Sequence, residues 1–548
     1  MSNMRITGIA SGMDTETMVN DLMKAERVRL DKIEQEKQLS LWRQEQYNDI
    51  NKSISQFILD TRKDLFGTSS YSKSPSSLTW VNKATSSDES IFTASSTASA
   101  PTGTHTMKVT QIAKGVSVAS ASAVSATNDS KLSDLGIADG SISFDIDGTN
   151  TATIQYKATD TVKDLIDKIN SAMGDELVPD LNTPKVPLGI QASFDDANGR
   201  LFLSTKGTGL KAQIKVTDDA GKLFTGGTDK FKLGLTEDVA VNGQNAKIDF
   251  DGAIGLEYES NNISINGINI TLNSTSATDQ TIKIDTDVDG IYDKIKGFVD
   301  KYNELIGNLN KEISEKRYRD FNPLTKEEKE AMNDDDIKLW EDKAKSGLLR
   351  NDQYINKLIQ NVRSGLYESV ITDDKGTSDT SDDIELSPYS QLFEIGITTG
   401  EWKDKGKLVI DETKFKDAIK ADASGVMDLL FTPSDEDNSS KSGLVNRMYD
   451  HMIDGMKEII NKSGTGDNSE LYRSVKSNIL IDFVTGGNGR KGAISLIDEE
   501  VLAFDTRITR EQDRLSSVEA RYWSQFSAME KALSEMQSQS SWLTQQMG

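Results

Sequence analysis

Near its C-terminal end the chain carries Gly487-Asn488-Gly489-Arg490-Lys491-Gly492, the G-x-G-x-x-G spacing of a glycine loop that cradles phosphate. A strand-like run, Ile479-Leu480-Ile481-Asp482-Phe483-Val484, precedes it, and Asp505 lies near the ~20-residue offset of a ribose-binding acid. A dinucleotide fold must then return to a parallel strand. Here heptads run to the end of the chain, so the glycines read as a flexible turn before a helix. Asp285-Thr286-Asp287-Val288-Asp289-Gly290 matches the first half of a calcium loop, but the twelfth position is Lys296 where a bidentate Glu is needed. Asp289 is expected to cap a helix instead. Two isolated histidines, His105 and His451, cannot form a two-histidine metal helix, and ordinary surface or capping roles are expected of them. With 87 Asp and Glu, carboxylate pairs carry no information, and without Cys there is no thiolate, disulfide or Cys-ligated metal. No catalytic, cofactor-binding or metal-binding residue is assigned, and the chain is not expected to be an enzyme.

The elements that would position such groups have another purpose. Asp14 to Phe66 reads as one helix, capped by Asp14, with Glu16 in its first turn and Gly67 after its end. Val19 with Leu22, then Tyr47, Ile50, Ile54 and Phe57, fall at helical spacing. Glu26, Arg29, Glu36 and Arg43 interrupt that stripe and are expected to weaken its packing while keeping register. At the other end one heptad frame reads Ile494, Ile497, Val501, Phe504, Ile508, Glu511, Leu515, Val518, Tyr522, Gln525, Met529, Ala532 and Met536, with Glu511 and Gln525 polar. That periodicity predicts a coiled coil. Each terminal helix has an apolar stripe that it cannot bury alone, so the two should pack on each other, on neighbouring copies, or both. Trp42, Trp340, Trp523 and Trp542 are read as packing anchors.

Between about Ala84 and Leu272 the sequence is rich in Ser, Thr and Gly, with short alternating runs such as Leu201-Phe202-Leu203 and Asn262-Ile263-Ser264-Ile265. Asp147-Gly148, Asn198-Gly199 and Asn266-Gly267 punctuate them, which is hairpin grammar. One short helix, Thr161–Ala172, places Val162, Leu165, Ile166 and Ile169 on one face. Helices return from Ile291 and again near Ile355–Val370, Lys414–Leu430 and Leu444–Ile460; the polar loops Thr372–Asp383 and Pro433–Ser442 are expected to be solvated.

Composition bounds the function. The chain has 548 residues, 36% of them hydrophobic, only eight prolines, and a net charge of −24. Such acidity argues against nucleic acid and anionic membrane surfaces as partners. No stretch approaches the ~18 apolar residues of a membrane span, and the N-terminus lacks the apolar core of a Sec signal peptide. The expected fold is α+β and multidomain: paired N- and C-terminal long helices forming a coiled coil, a mixed helical domain, and antiparallel β-rich outer domains. The expected division is residues 1–70 with 493–548, residues 71–113 with 286–492, and residues 114–285.

Specific motifs add to this reading. Gly8-Ile9-Ala10-Ser11-Gly12-Met13-Asp14-Thr15, leading into Leu22-Met23-Lys24-Ala25-Glu26-Arg27, resembles the N-terminus of the flagellar filament cap family, hook-associated protein 2. Phe526-Ser527-Ala528-Met529-Glu530-Lys531-Ala532-Leu533 and Gln539-Ser540-Ser541-Trp542-Leu543 are similar to that family's C-terminal end. Thr106–Ala113, Phe298–Ile306 and Ser346–Asp352 agree as well, and Leu132–Ala172 resembles its flagellin-type insertion motif. Met13 stands where the family usually has Leu, and between about Lys114 and Ala240 the likeness is loose.

The resemblance implies a non-enzymatic cap at the distal tip of a bacterial flagellum, outside the cell and exported by the flagellar type III apparatus with an export chaperone. It further implies a ring-shaped homo-oligomer, often a pentamer, that promotes folding and insertion of flagellin at the filament tip. The alternative is a surface adhesin whose β domains bind host glycan or mucin. The coiled-coil and partner interface is assigned to Val19, Leu22, Tyr47, Ile50, Ile54, Phe57, Ile494, Ile497, Val501, Phe504, Ile508, Leu515, Val518, Tyr522, Met529 and Met536.

Overall fold

The computed structural model describes residues 14–68, 72–145, 151–174, 186–376, 383–400, 404–435, 437–464, 484 and 495–547. The glycine run at 487–492, the strand expected at 479–484 apart from Val484, the Asp147-Gly148 turn and the site residue Ile494 lie outside them.

Helix α1 (Thr15–Phe66) starts where Asp14 accepts the Thr17 amide at 3.0 Å, and it ends at Gly67, whose φ of 70° frees its N–H for the Lys63 carbonyl. No proline interrupts its 52 residues, a length of roughly 78 Å. The chain then enters strands β1 (Asn82–Ser86), β2 (Phe92–Ser96), β3 (Gly103–Gln111), β4 (Ser117–Ala119), β5 (Gly140–Asp145) and β6 (Thr151–Tyr156). Helix α2 (Val162–Ser171) follows, opened by a reciprocal capping box between Thr161 and Asp164. Next come β7 (Ile190–Asp195), β8 (Arg200–Thr205), β9 (Gln213–Asp219), β10 (Val241–Asn242), β11 (Ala246–Phe250), β12 (Ala253–Tyr258), β13 (Asn262–Ile265), β14 (Ile268–Leu272) and β15 (Gln280–Thr286). Helices α3 (Val288–Ser314), α4 (Lys326–Glu330), α5 (Asp334–Lys345) and α6 (Gln353–Tyr367) come after, then the two-stranded ladders of β16 (Ile371–Asp373) with β17 (Ile384–Glu385) and β18 (Ile397–Thr399) with β19 (Leu408–Ile410). The chain closes with α7 (Glu412–Phe431), α8 (Leu444–Ser463) and α9 (Leu496–Met547).

The chain falls into two compact units: Met1–Pro75 with Ile291–Gly548, and Ser76–Gly290. The second unit is antiparallel β throughout its named strands, in sheets ordered β1-β15-β3-β11-β12, β13-β14-β2, β10-β9-β5-β6 and β4-β8-β7. It has two cores. One, built from residues between Val116 and Leu235, includes Ile142, Phe144, Ile169 and Phe224, so the 132–172 segment lies inside it. The other is built from residues between Phe92 and Ile284. The 71–113 stretch, expected with residues 286–492, gives β1, β2 and β3 to this unit because β15 hydrogen-bonds to both β1 and β3.

In the first unit, α3 is opened by Asp287, which accepts the Gly290 amide at 2.9 Å. Asp289, the expected cap, sits instead in the first turn, where the helix dipole favours an acid. Most described residues of the Pro433–Ser442 loop are exposed or half-buried, as expected, but its backbone is tied down. Its carbonyls from Ser439, Ser440 and Ser442 fold over Arg447, whose side chain is fully buried.

Candidate functional site

The expected interface residues fall into three groups, and α1 shows why. Its inward face steps alternately by three and four residues: Val19, Met23, Glu26, Leu30, Ile33, Lys37, Ser40, Gln44, Tyr47, Asn51, Ile54, Ile58, Thr61 and Leu65, all buried or half-buried. That is one unbroken heptad frame with polar members. Leu22 lies outside it, at 40% exposure, and Met23 takes its place. Reading Val19 onward by three residues rather than four set the wrong phase. The shift by one residue brings in Met23 and Leu30, whereas Ile33 is common to both phases.

The polar members meet partners on α9. Gln44 donates to Asp498 Oδ1 at 2.8 Å and Lys37 to Asp505 at 2.6 Å; Arg507 lies 3.7 Å from Glu36, and Arg29 lies 3.7 Å from Glu511. Arg514 donates to Glu26 at 2.8 Å and to Glu511 at 2.7 Å, and the Tyr522 hydroxyl donates to Glu26 at 3.4 Å. Numbers fall along α1 as they rise along α9, so the two helices are antiparallel. The Arg514 hydrogen bond holds the Glu26 carboxyl below its usual range, and the same pairing raises Arg514. Glu26, Arg29 and Glu36, expected to loosen the seam, are thus paired across it. Partly exposed pairs contribute only ~0.2–1 kcal/mol each. They therefore set direction and register, while apolar burial supplies the strength.

That burial divides the assigned residues. Val19 packs with Met23, Leu515 and Val518, flanked by Tyr522 and Phe526. Ile497, Val501 and Phe504 are buried on α9, and Ile508 is half-buried. Tyr47, Ile50, Ile54 and Phe57 are also buried. Where their partners are defined, these lie on other helices than α9: the Tyr47 hydroxyl donates to Asp352 ahead of α6, Ile50 lines a cleft with Leu305 and Leu309 of α3, and Phe57 lies 5.9 Å from Phe298 and 6.4 Å from Tyr449 between ring centroids. Burial pushes the Tyr47 hydroxyl pKa far up, with the Asp352 hydrogen bond adding to it. The first half of α1 thus belongs to the α9 pair and the second half to the helical core.

The third group faces water. Met529 is 37% exposed and Met536 58%, and Trp542 and Leu543 are exposed beyond them. Among the described residues Trp542 is therefore exposed and anchors no packing, unlike Trp42, which is buried beneath Lys345, or Trp340, which donates to the Asn322 carbonyl at 2.8 Å. The site is a two-helix stalk whose seam face is buried along one stretch and continues, apolar and exposed, toward the C-terminal end of α9. Such geometry suits association with other helices. Among the described residues no group of three or more His, Asp or Glu is placed to hold a metal ion, and no helix is long and apolar enough to cross a membrane.

Comparisons with known proteins point to one family. A family model described as flagellar hook-associated protein 2 C-terminus matches residues 243–538, and one described as flagellar hook-associated protein 2 N-terminus matches residues 11–116. The chain is 30% identical to flagellar hook-associated protein 2 of Halalkalibacterium halodurans over 558 aligned residues, 98% of each chain. It is 27% identical to that of Thermotoga maritima over 407 residues, covering 72% of this chain and 54% of the relative. The crystal structure of the flagellar cap protein D1-D2-D3 domains from Escherichia coli superposes with a TM-score of 0.48 at 20% identity, over 77% of this chain and 96% of that one.

Proposed function

Since the chain belongs to the flagellar hook-associated protein 2 family, we propose that it caps the distal tip of the flagellar filament, outside the cell, and promotes folding and insertion of exported flagellin without enzymatic chemistry. The match at 30% identity across 98% of both chains carries this reading. In it the antiparallel α1/α9 stalk is a leg, the other helices of its unit are the base of that leg, and the β unit, residues 76–290, is the outer plate. The working form is a ring of copies, a pentamer, delivered by the flagellar type III apparatus with an export chaperone. The comparisons lend the glycan-binding alternative no support.

The exposed far stripe of α9 is the part of the leg that meets filament subunits or a neighbouring copy. Burying side chains such as Met529 and Met536 contributes ~1.5–3 kcal/mol each. Replacing both with Lys should leave the helix content and melting temperature of the purified chain unchanged, because both side chains are exposed and neither belongs to a buried cluster among the described residues. In cells whose own copy is deleted, the unaltered chain should restore long filaments, whereas the Met529→Lys, Met536→Lys variant should shed flagellin into the medium. Full-length filaments in the deletion strain itself would refute the capping role. Full-length filaments with the double variant would refute the role of the stripe alone.

A further inference from the structure

His105 lies half-buried in β3, with each ring nitrogen facing an acceptor. Nδ1 is 2.6 Å from Asp251 Oδ2, and Nε2 is 3.0 Å from the Pro101 carbonyl oxygen. The ring stacks on Phe250 with centroids 5.8 Å apart and planes 13° off parallel. A neutral imidazole has one N–H and can serve only one of these acceptors; the imidazolium serves both. Asp251 is itself pinned, accepting the Thr106 amide at 2.8 Å while its own amide donates to the Thr106 carbonyl at 3.0 Å. It sits in the Asp251-Gly252 turn joining β11 to β12, where both residues have positive φ. The ring thus ties three pieces of the second unit together: the start of β3, the β11–β12 turn, and the loop before β3.

We propose that His105 is a pH-sensitive latch, closed as the imidazolium, that fastens the Pro101 loop and the β11–β12 hairpin to β3. Among the described residues Asp251 is the charged group acting on the ring; Phe250 from β11 and Ile282, its cross-strand partner on β15, are apolar. The two acceptors, the Pro101 carbonyl foremost and then Asp251, raise the histidine above its ordinary range, and partial burial opposes them. A raised folded-state pKa gives stability that is fully present below the unfolded value of ~6.5 and is lost as pH rises through the folded value. On deprotonation the carboxylate retains the remaining proton at Nδ1. Nε2 then turns a lone pair on the Pro101 carbonyl, and that arm of the latch opens. The hairpin it steadies carries Ile254, 84% exposed.

With only two histidines in the chain, the full-length protein labelled with 13C-histidine gives two imidazole titrations, assigned by His451→Gln. His105 should titrate above the ordinary value of ~6.5, and Asp251→Asn should lower it. Amide exchange over residues 97–106 and 250–258, corrected for its intrinsic pH dependence, should accelerate severalfold across that titration, and in His105→Gln it should show no such step. A titration at or below ~6.5, or an exchange step that survives in His105→Gln, would overturn the proposal.

Discussion

Replacing Arg447 with Met is expected to destabilise the helical unit by ~3–5 kcal/mol, the cost of leaving a buried polar network without its centre. The guanidinium is fully buried and hydrogen-bonded entirely by backbone oxygens: Nε to Ser439 at 2.8 Å, Nη1 to Gly365 at 3.1 Å and Glu368 at 2.9 Å, and Nη2 to Ser440 at 2.7 Å, Ser442 at 3.1 Å and Ser369 at 3.4 Å. Three of those carbonyls close the C-terminal end of α6, where the helix dipole favours a cation. Burial lowers the arginine pKa, yet arginine stays charged in proteins, so this end of α6 and the 433–442 loop depend on it together. Gly365 makes room: a Cβ there would stand 2.5 Å from His451 Cδ2 and 3.3 Å from Arg447 Cδ. Lysine has three donors on a point charge and should restore less than half the loss. Amide exchange of residues 437–447 in the full chain checks this. Met should raise it by about a hundredfold or more, and unchanged exchange would show that the carbonyls find other partners.

The second large effect is expected at Asp219, fully buried at the end of β9. Its carboxylate accepts the amides of Leu223 at 2.8 Å, Phe224 at 2.9 Å and Thr225 at 2.9 Å, and the Thr225 hydroxyl at 3.0 Å. Those bonds wind the chain so that Phe224 reaches Phe144 and Phe231, 6.2 and 5.7 Å between ring centroids. Asp219→Ala strips three buried amides of their acceptor at ~1–3 kcal/mol each, so a net loss of ~3–5 kcal/mol is expected after relaxation. Asp219→Asn keeps one oxygen and should lie between. Trypsin cleavage at Lys222 and Lys230 in the native protein should rise about a hundredfold for Ala, several-fold for Asn, and not at all at Lys residues of the helical unit.

Much of this fold was legible in the sequence. Asp14 and Gly67 bound α1 because capping is local chemistry, and the buried run from Ile497 to Val518 follows the heptads because period alone selects a helix face. What stayed hidden depends on distant residues. Glu26 looks like an interruption until Arg514 is opposite it, and nothing near position 26 announces that partner. The membership of residues 82–111 in the β unit is hidden because β1 and β3 find β15 nearly two hundred residues on, and hairpin grammar marks only adjacent strands. The 433–442 loop reads as solvated because its own side chains are polar; its order comes from its backbone and one arginine on α8. Half of the interface assignment also divides by partner. Tyr47 and Phe57 carry the same periodic signal as Val19, and periodicity cannot say which neighbour a buried stripe will meet.

In the proposed cap, the two ends of one chain pair antiparallel to make the leg on which it stands. The chain has no cysteine, so Lys37→Cys with Asp505→Cys, a pair that meets at 2.6 Å in the native seam, gives two unique thiols. Cap-bearing filaments from cells carrying this variant would be treated with a short bismaleimide and resolved by gel and peptide mass. Residues 37 and 505 should be linked within a single chain. Linkage only between chains, or none while the same chains remain on growing filaments, would contradict it.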